Sequence, residues 1–344
     1  MAPKVFITGA TGYIGGDALF EISRTHPDWQ VVCMVRDHDK GAKIMQQYPS
    51  IRLVHSDLES FDIIEEEASK ADVVYHFANC DHEASAKAIA AGLARRKDGS
   101  AGYWIHTSGA LILGTKTIDG GRWGDELPHI YDDWHNIAEL TSFPDHAEHR
   151  NVDKIVLAAS EAHQNKVQTA IVCPPAIYGT GRGPVNQRSK QINMVAEAYM
   201  KHQKAFSVGK GENIWHGIHI RDLSRLYVLL GEAAANGGSP ATWGKEGYYL
   251  VESGSFVFKD VLRAVAESVQ KLGYGAFNGV TEIPPEDAGA LMRGAKYLIG
   301  TNSRGRALRA RELLGWKPQE TSLMDEIPNI VQDEAERLGL GQKL

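Results

Sequence analysis

Cysteine is scarce: Cys33, Cys80 and Cys173 are the only three in 344 residues. They lie in or beside apolar runs and too far apart for any CxxC-type ligand set, so buried free thiols are expected. Long apolar runs are missing as well. No stretch approaches the roughly 18 residues that a spanning helix needs, which excludes a membrane-crossing protein. Charge of one sign is not in surplus, since 37 Lys and Arg against 43 Asp and Glu leave −6, spread along the chain. A phosphate-tracking basic surface, and with it a nucleic-acid partner, is therefore excluded. The start, Met1-Ala-Pro-Lys-Val-Phe-Ile, lacks a charged segment followed by a long apolar one, so a cytoplasmic location is expected. With 43% hydrophobic and 23% charged residues the composition is that of an ordinary globular chain, which excludes collagen, coiled coil and disorder. The length exceeds the roughly 250 to 300 residues of one comfortable core, which points to a main domain with an added lobe.

What is present is an alternation of short β-rich runs with longer segments of helical period, the pattern of a parallel sheet covered by helices. Strands are expected at 4–8, 30–35, 51–55, 73–77, 104–107 and 169–173, several of them almost continuously apolar, as suits a sheet buried on both faces. Ile14, Ala18 and Ile22 repeat at helical spacing after the first strand. From 114 to 145 the periodicity fails. Trp123, Asp125, Glu126, Tyr131, Asp132, Asp133 and Trp134 fall there, and such a long irregular insertion reads as a binding loop, a lid with aromatic walls over the substrate. After a turn-rich stretch at 174–184 come mixed helices and short strands, among them one at 248–252. The fold expected is α/β, a doubly wound parallel sheet with a smaller, interwoven C-terminal α/β lobe, divided at 1–183 and 184–344.

The strongest local signal is Val5-Phe-Ile-Thr-Gly-Ala-Thr-Gly-Tyr-Ile-Gly15, a strand followed at once by three glycines spaced three apart and then a helix. Gly9 allows the tight turn, Gly12 lets backbone N–H groups approach a pyrophosphate, and Gly15 lets the helix pack on the sheet with its N-terminus facing the phosphates. Thr11, Tyr13 and Ile14 belong to the same cofactor-binding turn. Arg36, at the tip of the second strand, can pair with a ribose 2′-phosphate and stack on adenine, which favours NADP; Asp37 beside it keeps NAD open.

The Gly-x-x-Gly-x-x-Gly spacing led by Thr8 resembles the short-chain dehydrogenase/reductase superfamily, particularly its extended and atypical, epimerase/dehydratase-like branches, whose dinucleotide domain is a Rossmann fold. Other segments agree in order. His55-Ser-Asp57-Leu58 is similar to the adenine-contacting segment, and His76-Phe77-Ala78-Asn79 to the one after the fourth strand. Thr107-Ser108 is similar to the catalytic-serine strand, and Cys173-Pro174-Pro-Ala-Ile177-Tyr-Gly179 to the element beside the nicotinamide. His219-Ile-Arg-Asp-Leu223 and Leu314-Gly-Trp-Lys-Pro318 resemble markers of the C-terminal lobe. The resemblance spans nearly the whole chain and implies a small-molecule substrate and, as is common in the family, a homodimer.

One part of the pattern is absent. The family carries Tyr-x-x-x-Lys on the helix after the serine strand, because i and i+4 share a helix face and the ammonium lowers the phenol's pKa. None of the twelve tyrosines has Lys four residues on. On the corresponding helix, at about 147–163, two pairs compete. His149 with Asp153 could act as an acid/base with its orienting carboxylate, and Arg150 with Lys154 could hold a ribose or an anionic substrate; an exposed polar face is the alternative to both. Ser108, at the carboxyl edge of a parallel strand, is expected to face the crevice and polarise a carbonyl. Arg182 and Arg188 are candidates for gripping an anion. His135, His146 and His149 near Asp132, Asp133 and Asp145 lack tight ligand spacing, and no metal site is expected. The expected activity is that of an NADP-dependent oxidoreductase acting on a carbonyl or alcohol. A nucleotide-sugar epimerase or dehydratase that retains its cofactor and a non-catalytic NAD(P)-binding sensor are the two rivals.

Overall fold

The computed structural model describes residues 2–97 and 99–341. Five strands and four helices alternate through the first part of the chain: β1 (Lys4–Thr8), α1 (Tyr13–Thr25), β2 (Gln30–Val35), α2 (His38–Gln47), β3 (Arg52–His55), α3 (Phe61–Lys70), β4 (Val73–His76), α4 (Glu83–Ala94) and β5 (Gly102–Thr107). Every residue of β4 and β5 is buried, which requires cover on both faces and explains why these strands read as apolar runs rather than alternations.

The short helices α5 (Thr115–Gly120) and α6 (Ile137–Thr141) flank β6 (Tyr131–Asp132), and α7 (Arg150–Ala162) leads into β7 (Val167–Cys173). After β8 (Ala176–Tyr178) come α8 (Gln191–His202), β9 (Phe206–Val208), β10 (Ile214–His219), α9 (Ile220–Ala235), β11 (Tyr248–Leu250), β12 (Gly254–Val257), α10 (Phe258–Lys271), β13 (Thr281–Ile283) and β14 (Gly305–Arg306). The central sheet has seven parallel strands in the order β11-β7-β5-β4-β1-β2-β3. Strand order reverses between β1 and β4, and the register sets Thr8 beside His76 and His76 beside His106. The segments leaving β1, β4 and β5 therefore emerge together at one carboxyl edge, the crevice in which ligands of such sheets bind.

Two apolar cores follow. The first surrounds the sheet and takes in Leu223, Leu226 and Tyr227 of α9, Tyr248 to Leu250 of β11 and Trp316. The second is built around Val195 and Tyr199 of α8, Phe258, Val261 and Val265 of α10, and Ile327 and Val331 of the helix Leu323–Arg337. No helix among the described residues is long and apolar enough to cross a membrane.

Two expectations need correction. The short strand near 248–252 does not stay in the C-terminal lobe, because β11 joins the central sheet as its edge beside β7. The 114–145 segment is not an irregular lid. It carries α5, β6 and α6, and β6 pairs with β14. Its anchor is Asp133, which is fully buried and accepts hydrogen bonds from the backbone N–H groups of Leu250 (2.9 Å), Leu308 (2.8 Å) and Arg309 (3.0 Å). Burial pushes this carboxyl up to about 6 despite those donors. Trp123 lies under Lys296 and Trp134 under Arg309, so both aromatic rings are held against later segments of the chain.

Candidate active site

At the β1–α1 turn, side chains are excluded by geometry. Gly9 has φ +80°, and a Cβ there would lie 2.5 Å from the Phe77 carbonyl carbon. A Cβ on Gly15 would come within 2.3 Å of the Gly9 oxygen, which already accepts from the Gly12 N–H at 2.9 Å. The turn is thus stripped to backbone where α1 begins, with Gly12 as its N-cap and no acidic residue in its first turn. Free N–H groups and the positive end of the helix dipole are left for an anion.

Two cavities open on either side of this turn. One, of about 400 Å³, is lined by Gly9, Thr11, Arg36, Asp37, Asp57, Leu58, Ala78 and Asn79, among others. Asp37 caps α2, its Oδ1 accepting from the Lys40 N–H at 3.0 Å. Arg36 makes no hydrogen bond or ion pair among the described residues and stays free for a ligand. Asp57 Oδ1 accepts from the Glu59 N–H and the Ser60 hydroxyl.

The second cavity, of about 560 Å³, is lined by Gly12, Tyr13, Ile14, Phe77, Pro174 and Ile177 together with Gly109, Leu111, His149, Trp215 and Leu298. None of the 123–134 aromatics is on its wall. Every residue expected to bind a cofactor lines one of the two cavities except Gly15, which sits under the turn, and Lys154. Lys154 points elsewhere and pairs with Asp145 at 2.8 Å, so its expected position at a ribose is corrected.

His149 stands in the wall of the second cavity. It is not in the helix but is the N-cap of α7, held at φ +64°, a left-handed conformation that side-chain-bearing residues adopt only when their surroundings impose it. Its Nδ1 lies 2.8 Å from Asp81 Oδ1 and 3.4 Å from Cys80 Sγ, and its Nε2 faces Gly109, where a Cβ would be only 2.8 Å away. Burial disfavours the charged ring, but the bonds to Asp81 and Cys80 outweigh it and raise its pKa to about 10. The partner is therefore Asp81, not Asp153. Starting the helix one residue after His149 breaks the expected i, i+4 face.

Asp153 is turned the other way, fully buried, accepting from the Tyr248 hydroxyl at 3.1 Å and 3.8 Å from His106 Nε2. Burial raises it to about 6, opposed by the Ser108 hydroxyl, the His149 charge and Tyr248. Ser108 Oγ is sealed from solvent beside it without a well-formed hydrogen bond, so this hydroxyl does not face the crevice as expected. The two buried rings behind them, His76 and His106, are stacked with centroids 5.4 Å apart, and burial pulls both below the usual histidine range, His76 to about 4. None of these four side chains lines the cavity.

Both candidate anion grips are engaged by carboxylates, Arg182 through all three of its side-chain nitrogens and Arg188 through Nε and Nη2. Arg182 is bound by Asp17 (2.7 Å) and Glu21 (2.7 Å), and Arg188 by Glu334 (2.5 Å) and Glu197 (2.9 Å). Asp81, Lys190, Gln191, Trp215 and Leu298 belong to the site and carry no local motif. Asp81 follows Asn79 by two positions, but nothing in the sequence ties it to a histidine 68 residues on.

Comparison with known proteins agrees with this architecture. Residues 1–95 match the NmrA-like family. The oxidase ucsJ of an Acremonium species is 35% identical over 347 residues, covering 99% of this chain and all of the relative. Among solved structures, the dTDP-glucose 4,6-dehydratase DesIV of Streptomyces venezuelae, with NAD bound, superposes with a TM-score of 0.68 at 16% identity, covering 98% of each chain. A UDP-glucose 4-epimerase of Thermotoga maritima with UDP-glucose superposes at 0.65 and 13% identity over 97% of this chain and 99% of its own. At such identities the structural matches speak for the fold alone.

Proposed function

The chain belongs to the extended/atypical short-chain dehydrogenase/reductase superfamily, and from that premise we propose that it is an NADP-dependent oxidoreductase acting on the carbonyl or alcohol of a small organic molecule. The observation that carries this reading is the Asp81–His149 pair, whose free Nε2 lies in the wall of a cavity adjoining a phosphate-binding turn. Residues 1–183 would hold the dinucleotide and most of 184–344 the substrate.

The turn fits a pyrophosphate because Gly9, Gly12 and Gly15 leave room only for backbone at its centre. Arg36 supports NADP over NAD, being uncommitted in the first cavity while the neighbouring carboxylate is used as a helix cap. A bound nicotinamide would supply or accept the hydride. His149 does what the missing tyrosine does elsewhere. Its Nδ1–H is fixed by Asp81, which orients the ring, and its Nε2–H can be donated to a carbonyl oxygen, or Nε2 can take the proton of an alcohol in reverse. With a pKa near 10 the ring is protonated at neutral pH, which suits an acid.

The test is to titrate the purified protein with NADPH and NADH by fluorescence and then follow nicotinamide absorbance with a panel of ketones and aldehydes. NADPH is expected to bind more tightly, and turnover is expected to depend on His149. Tight cofactor binding without oxidation of NADPH by any substrate would overturn the catalytic reading, and unchanged turnover in His149→Ala would overturn the proton role.

A further inference from the structure

Most of the side-chain polar groups around the second cavity are already paired within the protein, and this restricts what can fill it. Tyr13 turns its hydroxyl into the protein, donating to the Gly179 carbonyl at 2.6 Å, and Trp215 donates its Nε1–H to the Thr301 carbonyl at 2.7 Å. The Ser189 hydroxyl donates to Ile177 and the Gln191 amide to Leu298. Asn186 Oδ1 accepts from the Arg188 N–H at 3.1 Å. Arg188 gives Nε to Glu334 and Nη2 to both Glu334 and Glu197, and the Glu334 side chain is 1% exposed, so its charge is offset in place and only Nη1 is left without a partner. The faces left to a ligand are the rings of Tyr13 and Trp215 and the side chains of Leu111, Pro175, Ile177 and Leu298. Among the described residues of the wall, the side-chain donors without a partner are His149 Nε2, Arg188 Nη1, the Asn186 amide nitrogen and the Lys190 ammonium, the last two on exposed residues.

We infer that this cavity takes a predominantly apolar carbonyl compound bearing at most one anionic group, and not a nucleotide sugar. The inference rests on the oxidoreductase reading for the carbonyl; the apolar body follows from the wall alone. A nucleoside diphosphate sugar brings two phosphate charges and several sugar hydroxyls. Each polar group buried without a partner costs about 1 to 3 kcal/mol, and more for a charge. The exposed Lys190 ammonium and Nη1 of an arginine whose charge is already offset by Glu334 and Glu197 compensate little of this. Against the same wall an apolar body gains roughly 25 cal/mol for each Å² removed from water. A single carbonyl oxygen needs one donor, and His149 Nε2 is placed to be it.

The inference is tested by calorimetry on the full chain with saturating NADP⁺, a state in which a ketone cannot turn over. The probes are 2-acetonaphthone, 1-decalone and UDP-glucose. At least one ketone is expected to bind at least about tenfold more tightly than UDP-glucose, a difference of about 1.4 kcal/mol. Trp215→Ala and Leu298→Asn are each expected to weaken that ketone about fivefold or more while NADP⁺ affinity stays within about twofold. UDP-glucose binding as tightly as the ketones, or neither ketone binding to protein that still binds NADP⁺, would overturn the inference. So would ketone affinity indifferent to both substitutions. Turnover, measured separately with NADPH, separates the two readings. A ketone that binds but is never reduced breaks the oxidoreductase reading and leaves the apolar site standing, whereas UDP-glucose binding breaks the substrate class and leaves NADPH binding intact.

Discussion

The two ends of the cleft are built from different materials. The end at the β1–α1 turn is backbone: Gly9, Gly12 and Gly15 lie within seven consecutive residues, and its shape comes from side chains that are not there. The end at the second cavity is side chain and long-range. His149 comes from the cap of α7, Trp215 from β10, Leu298 from much later in the chain, and the carboxylate that holds His149 comes from the loop after β4. A site made by close backbone approach is encoded in a few neighbouring positions. One made by converging side chains is encoded only in the fold that brings them together.

The comparison can be broken at either end. The largest effect is expected from Gly15→Val, because its Cβ would meet the Gly9 carbonyl at 2.3 Å. NADPH affinity, read by fluorescence titration on protein with native circular dichroism, should fall by about a thousandfold or more, roughly 4 kcal/mol. Next is Arg182→Leu, at the joint between the ends. It leaves Asp17, whose side chain is fully buried, without its charge partner, and urea unfolding should show a loss of about 3 kcal/mol. His149→Ala should lower kcat for ketone reduction by about a hundredfold, the usual size of a general acid's contribution, with NADPH affinity within about twofold.

Asp81→Asn sharpens the contrast through pH. Removing the carboxylate leaves burial to pull the ring's pKa down, so the alkaline limit of carbonyl reduction should move from about 10 towards neutrality. The rate at pH 9 should fall by about tenfold while that at pH 6 hardly changes. The sign carries over to stability. A raised histidine pKa contributes stability that is fully present below the unfolded value of about 6.5 and is lost as pH rises through the folded one, so the wild-type advantage over Asp81→Asn should shrink as pH approaches about 10. The smallest change is expected from Arg36→Ala, a loss of about tenfold in the preference for NADPH over NADH.

Much of the sheet is legible in the sequence, because β1, β2, β4 and β5 are apolar runs punctuated by turns and followed by helices. The edge strand β11 was not placed, since three residues, Tyr248–Leu250, carry too little periodicity to announce their neighbour. The first helical residue of α7, Arg150, lies a few positions later than the sequence pattern suggests. That small shift had a large consequence, because it took His149 off the face of Asp153 and turned it to Asp81. The insert at 114–145 looked irregular since its order comes from partners near Leu250 and Leu308, not from its own pattern.

By itself the sequence determined the glycine turn that opens α1 and the parallel sheet behind it, because glycine spacing and apolar runs act on their immediate neighbours. Only the tertiary structure decided which carboxylate holds the histidine and which arginines are spent. Those bonds join residues 68 apart for Asp81 and His149 and 146 apart for Arg188 and Glu334, and such contacts exist only once the two cores have packed.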